Sequence, residues 1–353
     1  MSRYWTDLAR SLKPYVPGEQ PVGERLCKLN TNECPYPPSP AVERAIAAMT
    51  AERLRLYPDP ESFRLREAFA ARYHLAVEQV FIGNGSDEVL AFAFMGLLKH
   101  ARPLCFPDVT YSFYPVWSSL CDIRYQEIPV AEDFSIDPGA FPRENGGVIL
   151  PNPNAPTGIL MELASVRQLL DRNPDSVVVI DEAYIDFGGQ SAAQLVPEYP
   201  NLLVTQTLSK SRALAGLRVG VALGNEALIE ALSRIKNSFN SYPVDAIAQE
   251  CALAALGDEA YFDEICQRIV ATRERLSEQL ESLGFSVLPS SANFLFVSHA
   301  SEPAEKLFQG LRERGVLVRH FKRPRIDNYL RISIGTQEDC DTLISALETL
   351  LTT

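Results

Sequence analysis

A lysine amine becomes a usable nucleophile once burial lowers its pKa, so a lysine among apolar residues is the place to look for chemistry in this chain. Lys210 stands in Thr207-Leu-Ser-Lys-Ser-Arg-Ala-Leu-Ala-Gly-Leu-Arg-Val-Gly220, directly after the apolar run Leu202-Leu-Val204 and before Leu214, Leu217 and Val219. Most lysines serve only solvation. This one is expected in a partly desolvated pocket, where its amine suits Schiff-base formation with a carbonyl. A second chemical group is Asp181, which ends the run Val177-Val-Val-Ile180. A carboxylate at the end of a buried strand is costly without a partner, although a helix cap would also explain it.

Gly83-Asn-Gly-Ser-Asp-Glu88 follows an apolar run and opens a helical pattern. Its glycines free backbone amides to face an anion at a helix N-terminus, which suits a phosphate; a tight turn without a ligand is the plain alternative. Asn154, Asp181 and Lys210 each lie just after an expected strand, 27 and then 29 positions apart, about one strand-helix-strand unit each. Their side chains are therefore expected to converge outside the carboxyl ends of a parallel sheet.

The elements that must do this positioning are legible as short, β-branched, unalternating runs. Val80-Phe-Ile82, Gly147-Val-Ile-Leu150, Ser176-Val-Val-Val-Ile180 and Leu202-Leu-Val-Thr205 read as strands buried on both faces. Between them Leu163, Val166, Leu169 and Leu170 recur at helical spacing. The alternation implies an α/β doubly wound unit with a mainly parallel sheet. Ser39 and Pro40 start a helix with Val42, Ile46 and Met49 as its apolar stripe, and a longer one runs from about Asp258 to Leu283, stopped by Gly284. Four further strands, at Phe285–Leu288, Phe294–Val297, Val316–Val318 and Leu330–Ile334, with a Thr336/Asp339 capping box, make a smaller α/β unit. The expected division is 1–40 as an N-terminal arm, 41–245 as the large domain and 246–353 as the small one.

With 33 basic and 45 acidic residues the net charge is −12, which disfavours nucleic acid and anionic membrane as partners. No run of about 18 apolar residues is present, so a soluble chain is expected. Seven scattered cysteines without a Cys-x-x-Cys pair argue against a disulfide framework or structural zinc and fit a reducing cytoplasm; no metal is expected. Against that acidic background Arg319, His320, Lys322, Arg323 and Arg325 stand out, as a second anion site or as a solvated basic loop.

The lysine segment, the Gly-x-Gly-Ser turn and the Asp181-Glu-Ala-Tyr184 stretch resemble the fold-type I pyridoxal 5'-phosphate (PLP) aminotransferases. The addition of Tyr15-Val-Pro-Gly-Glu19, Leu29-Asn-Thr-Asn-Glu33 and Leu330-Arg-Ile-Ser-Ile-Gly-Thr336 makes the chain similar, over nearly its full length, to the histidinol-phosphate aminotransferase family. The resemblance implies PLP on Lys210, its phosphate held by the turn with Gly85, Ser86 and Asp87 and by Ser209 and Arg218, Thr207 as a further cofactor-binding residue, its ring nitrogen paired with Asp181 and its ring hydroxyl with Tyr184. Tyr111 would stack on the ring, where ordinary core packing is the alternative, and Tyr57 would reach the cofactor phosphate of a second subunit, implying a homodimer. The family's ring-contacting asparagine position holds Ala155, so Asn154, one place earlier, is the expected substitute. Arg331 would grip a carboxylate, a strand-end ion pair being the alternative, and Tyr15, Asn32 and Arg319 would bind the substrate. The implied reaction is amino transfer from L-histidinol phosphate to 2-oxoglutarate in histidine biosynthesis. An aromatic-amino-acid aminotransferase or a PLP decarboxylase of a phosphorylated amino acid would use nearly the same site.

Overall fold

The computed structural model describes residues 3–20 and 26–352; residues 1, 2 and 21–25 of the expected arm, and residue 353, lie outside the described residues. The central sheet has seven strands: β1 Val80–Asn84, β2 Leu104–Pro107, β3 Tyr125–Ile128, β4 Val148–Pro151, β5 Val178–Asp181, β6 Leu202–Thr207 and β7 Val219–Gly224. Their spatial order is β1-β7-β6-β5-β4-β2-β3, and every pairing is parallel except those of β7, which runs against both neighbours. Val178, Val179 and Ile180 have no exposed surface, as expected of a strand covered on both faces. Each such side chain contributes about 1.5–3 kcal/mol on burial.

Three of the seven strands, β2, β3 and β7, were not among the four expected from the sequence. Leu104-Cys-Phe-Pro107 is only four residues and ends in proline, and Tyr125-Gln-Glu-Ile128 is an edge strand whose first three residues are exposed and polar enough to hide the pattern. The single antiparallel strand matters for function. It starts at the edge where the parallel strands end, so the residue before it, Arg218, arrives beside Lys210 although the chain has crossed back.

Helix α1 (Pro40–Ala47) starts as expected, with the Ser39 hydroxyl accepting from the Ala41 amide; only Val42 of its expected stripe is buried, and Ile46 faces outward. After α2 (Phe63–Tyr73), helix α3 (Gly85–Gly96) follows β1 without a connecting loop. Helix α4 (Ala246–Leu256) was expected to open the small domain, but Ala248, Cys251, Ala252 and Ala255 pack with Val42, Leu65, Phe69 and Val204 in the core of the large one. A helix with so many alanines carries no strong stripe, and its allegiance is set by the close approach to α1 that those alanines allow. After α4, Asp258 caps α5 (Glu259–Ser282), and Gly284, at φ +88°, ends it.

The small unit has a four-stranded antiparallel sheet of β8 Phe285–Val287, β9 Phe294–His299, β10 Arg319–His320 and β11 Leu330–Ser333, ordered β10-β11-β9-β8. The expected strand at Val316–Val318 is a two-residue pairing, Val316–Leu317, taken up by the arm: Cys27–Lys28 lies parallel to it. Leu29 is buried in the small unit's core. Among the described residues, no helix is long and apolar enough to cross a membrane and no cluster of His, Cys, Asp and Glu is arranged to hold a metal ion.

One close approach holds the edge of the sheet together. A Cβ on Gly220 would lie 2.4 Å from the backbone carbon of Gly85 and from the Ser86 nitrogen, atoms that cannot swing away. Gly220→Ala is expected to destabilise the protein by about 1–3 kcal/mol through overpacking, read as a lower denaturation midpoint with an unchanged slope. A midpoint equal to that of the parent would contradict this packing.

Candidate functional site

A cavity opens at the carboxyl edge of the central sheet, among the end of β1, the loops after β4, β5 and β6, and the start of β7. Its walls include Ser86, Asp87, Tyr111, Ala155, Asp181, Tyr184, Thr207, Ser209, Lys210 and Arg218. The convergence expected from spacing holds for Asp181 and Lys210, which come from adjacent strands.

Lys210 is half-buried, and its Nζ donates to the Thr31 carbonyl at 3.2 Å. Its pKa is brought down to about 8, mainly by burial and then by Arg331 and Arg218, against the opposing pull of Glu33 and Asp87. Near neutral pH a useful fraction of the amine is therefore free of its proton.

Asp181 is buried on β5, in register between Pro151 of β4 and Thr205 of β6. It accepts from the Tyr114 hydroxyl at 3.1 Å and the Thr205 hydroxyl at 3.5 Å. Burial pushes its pKa up to about 7 despite those donors, so the carboxylate is short of positive charge. Tyr114 was not expected in the site. It sits three residues beyond Tyr111, across a turn closed by Tyr114 N to Tyr111 O at 3.2 Å, and opens a helix, so its nearness to Tyr111 in sequence was the available signal.

The first turn of α3 forms a cradle with Arg218. Gly85 has φ +77°, and a Cβ there would lie 2.5 Å from the Arg218 Nη2, so only glycine lets the guanidinium lie against the turn. Arg218 donates to Asp87 at 3.2 Å and to Ser209 at 3.4 Å, and Thr207 donates to Ser209 at 2.9 Å. Tyr111 donates to Asp87 at 3.3 Å and forms a cavity wall.

These residues fit PLP. A guanidinium, three hydroxyls and the amides at a helix N-terminus are a donor set for a phosphate dianion, and a buried, undercompensated carboxylate suits a protonated ring nitrogen.

Asn154 does not line the cavity. Its Nδ2 donates to the Val109 carbonyl at 3.0 Å and to the Thr157 hydroxyl at 3.2 Å, leaving Oδ1 buried without a partner, while Ala155 supplies the wall. The one-residue offset turns the side chain into the loop, so the expected substitution for the missing asparagine fails. Tyr184 lies between two other expected site residues: its hydroxyl accepts from Asn32 Nδ2 at 3.0 Å, and the Lys210 Nζ is 5.9 Å from its ring centre. Asn32, at φ +56°, is locked by Ser333 through both backbone amide and side chain.

The arm folds over the cavity, with Tyr15 stacked on Phe113 at 4.8 Å and edge-on to Tyr111 at 6.3 Å. Arg331 of β11 and Arg319 of β10 are cross-strand partners. Arg331 donates to the Asn30 carbonyl at 3.0 Å and keeps a buried Nε without a partner. Arg319 donates to the Val16 and Pro17 carbonyls at 3.2 and 3.4 Å. The rest of the basic stretch is engaged elsewhere: Arg325 pairs with Asp108 at 3.0 Å and Lys322 with Glu305 at 2.7 Å. Tyr57 lies away from this cavity, 82% exposed and stacked on Tyr242 at 4.6 Å.

Residues 24–347 match the family model for aminotransferase class I and II. The chain is 56% identical over 353 residues to histidinol-phosphate aminotransferase 1 of Hydrogenovibrio crunogenus, covering 100% of this chain and 99% of that one. It is 58% identical over 351 residues to histidinol-phosphate aminotransferase 2 of Dechloromonas aromatica, covering 98% and 99%. Among solved structures, the histidinol-phosphate aminotransferase of Sinorhizobium meliloti in complex with pyridoxal-5'-phosphate superposes with a TM-score of 0.90 at 24% identity, covering 100% of this chain and 98% of that one, a likeness of fold. With its family match across nearly the whole length and relatives this similar from end to end, the chain belongs to the class I and II aminotransferases, in their histidinol-phosphate aminotransferase group.

Proposed function

We propose that this protein transfers the amino group of L-histidinol phosphate to 2-oxoglutarate, giving 3-(imidazol-4-yl)-2-oxopropyl phosphate and L-glutamate, in histidine biosynthesis in the cytoplasm. The observation that carries the substrate assignment is the placing of Arg319 and Arg331 across from each other on β10 and β11, with Arg331 close enough to act on Lys210, in an acidic protein. Like charges in cross-strand register are unfavourable unless an anion joins them, and a phosphorylated amine supplies one.

Lys210 is the residue that would hold PLP, with Ser86, Ser209, Arg218 and the α3 amides on its phosphate and Asp181 on its ring nitrogen. Bound there, PLP supplies an electron sink for the pair left on the substrate Cα. The Lys210 amine, with its pKa near 8, then serves as the base that takes the Cα proton and returns it. Tyr184, held by Asn32, would pair with the ring hydroxyl, and Tyr15 with Tyr111 would keep water from the cavity. Arg331 takes the anionic end of each amino donor or acceptor, and Arg319 the phosphate. The site is completed by a second copy: the exposed Tyr57, with Leu54, Leu56 and Phe239 exposed in the same structure, supports a homodimer in which Tyr57 reaches the other subunit's cofactor phosphate.

Borohydride reduction of the PLP-loaded enzyme followed by peptide mapping is expected to place the label on Lys210, and Lys210→Ala is expected to abolish turnover. Label on any other lysine would overturn the assignment.

The raised pKa of Asp181 gives a pH test. Its folded value is about 7 against an ordinary value of 3.8, so between those values the folded state keeps a proton that the unfolded chain has released. That contribution to stability falls as pH rises through the window. A cationic ring nitrogen removes the penalty, so the gain in melting temperature on loading PLP is expected to grow from pH 5 to pH 7.5. Glu182, buried and pushed up to about 7 in the same direction, is common to both forms and cancels in the difference. A gain that stays flat or shrinks with pH would contradict the pairing.

Arg319→Ala is expected to raise KM for histidinol phosphate by the equivalent of about 1.5–3 kcal/mol, the loss of a charge-assisted contact, while sparing any activity on phenylalanine. Equal losses on both substrates would assign Arg319 to holding the arm through Val16 and Pro17, and would favour an aromatic-amino-acid aminotransferase.

A further inference from the structure

The turn that carries Lys210 is held in an unfavourable shape by contacts outside the cavity. Ala213 has φ +57°, a left-handed conformation that a residue with a Cβ adopts only when its surroundings enforce it. The turn closes on itself through Ala213 N to Lys210 O at 3.3 Å and Leu214 N to Leu208 O at 3.0 Å. Between these bonds two side chains point away from the cavity. The Ser211 hydroxyl donates to Asp186 at 2.5 Å. Arg212, with a side chain 4% exposed, donates to the Ala255 carbonyl at the end of α4 and, at 2.8 Å, to Glu259 in the first turn of α5. Its guanidinium lies 3.9 Å from the centre of the Phe262 ring, one turn further on. Glu259 is in turn bonded by Arg72 of α2.

We propose that Arg212 is a positioning residue that fixes the Lys210 turn and fastens it to the start of α5, the helix through which the chain passes into the unit bearing Arg319 and Arg331. The reacting amine and the anion-binding arginines come from different units, and a bidentate guanidinium clamped at the joint keeps them in register. Lysine cannot replace it, because one ammonium on a flexible stem cannot meet the Ala255 carbonyl, the Glu259 carboxylate and the Phe262 ring together.

The inference rests on Lys210 being the reacting amine, and its test separates the two ideas. In the PLP-loaded enzyme, Arg212→Met is expected to lower kcat for histidinol phosphate by about 10-fold or more with KM within about 3-fold, the mark of a misplaced reacting group. Backbone amide exchange should quicken in residues 208–214 and stay unchanged in β6. Arg212→Lys should recover only part of the loss. Parental kcat, or a loss accompanied by equally faster exchange throughout β5 and β6, would overturn the proposal by reducing Arg212 to general stability. Should Arg212→Met fail to fold, Glu259→Gln, on a half-exposed side chain, carries the test: faster exchange confined to 208–214 supports the clamp, and unchanged exchange there overturns it. Exchange reports the turn whether or not Lys210 carries PLP, so failure of the clamp and failure of the lysine assignment read differently.

Discussion

The burial of Asp181 without a cation is the constraint around which the rest of the site is arranged. Its neighbour Glu182 is buried just as deeply, but accepts from Ser191 at 2.5 Å, from the Ala192 amide at 2.6 Å and from Gln206 at 2.9 Å. Three short bonds satisfy Glu182 within the protein. Asp181 has longer bonds from two hydroxyls and a place in the cavity wall. One carboxylate is built into the core; the other is held toward an open space and left short of charge. The nearby cation that could neutralise it, Lys210, is instead directed to the Thr31 carbonyl. Keeping the two apart is what leaves each available to a ligand.

Topology makes this separation possible. Asp181 ends β5 and Lys210 follows β6, and both come to the same edge because β5 and β6 are parallel. Were β7 also parallel, Arg218 would lie at the far edge of the sheet. Its antiparallel run returns the phosphate-binding arginine to the cradle, where Gly85 and Gly220 permit backbone and guanidinium to approach more closely than any Cβ would allow. The two glycines and the reversed strand are one device.

The parts of this arrangement that were legible in the sequence are those governed by local chemistry. Val178-Val-Ile180 and Leu202-Leu-Val204 announce buried strands because both their faces are apolar, and the charged residues at their ends stand out for the same reason. The reading failed where position depends on packing between distant segments. Asn154 has the right residue type beside the right place, but its amide is claimed by Val109, 45 residues earlier. The alanine-rich α4 carries no pattern that says which core it joins. The arm's Cys27–Lys28 finds a strand partner 289 residues later, at Val316–Leu317, a pairing that no local propensity encodes.

The arm explains how so many cations coexist in an acidic protein's cavity before any anion arrives. Arg331 donates to Asn30 O, Lys210 to Thr31 O, and Arg319 to Val16 O and Pro17 O, at 3.0 to 3.4 Å. Each acceptor is a neutral carbonyl of the same arm. A carbonyl satisfies the hydrogen-bonding need of a donor but does not neutralise its charge, which for Lys210 is met only in part by Glu33 and Asp87. An acidic side chain in the same place would neutralise the arginine and compete with the ligand; water would lessen the gain on binding. Backbone acceptors avoid both, so the charge-assisted part of the interaction energy is kept for the substrate. Because the same arm carries Tyr15 onto Tyr111 and Phe113, the segment that holds the cations in waiting is also the one that covers the reacting face.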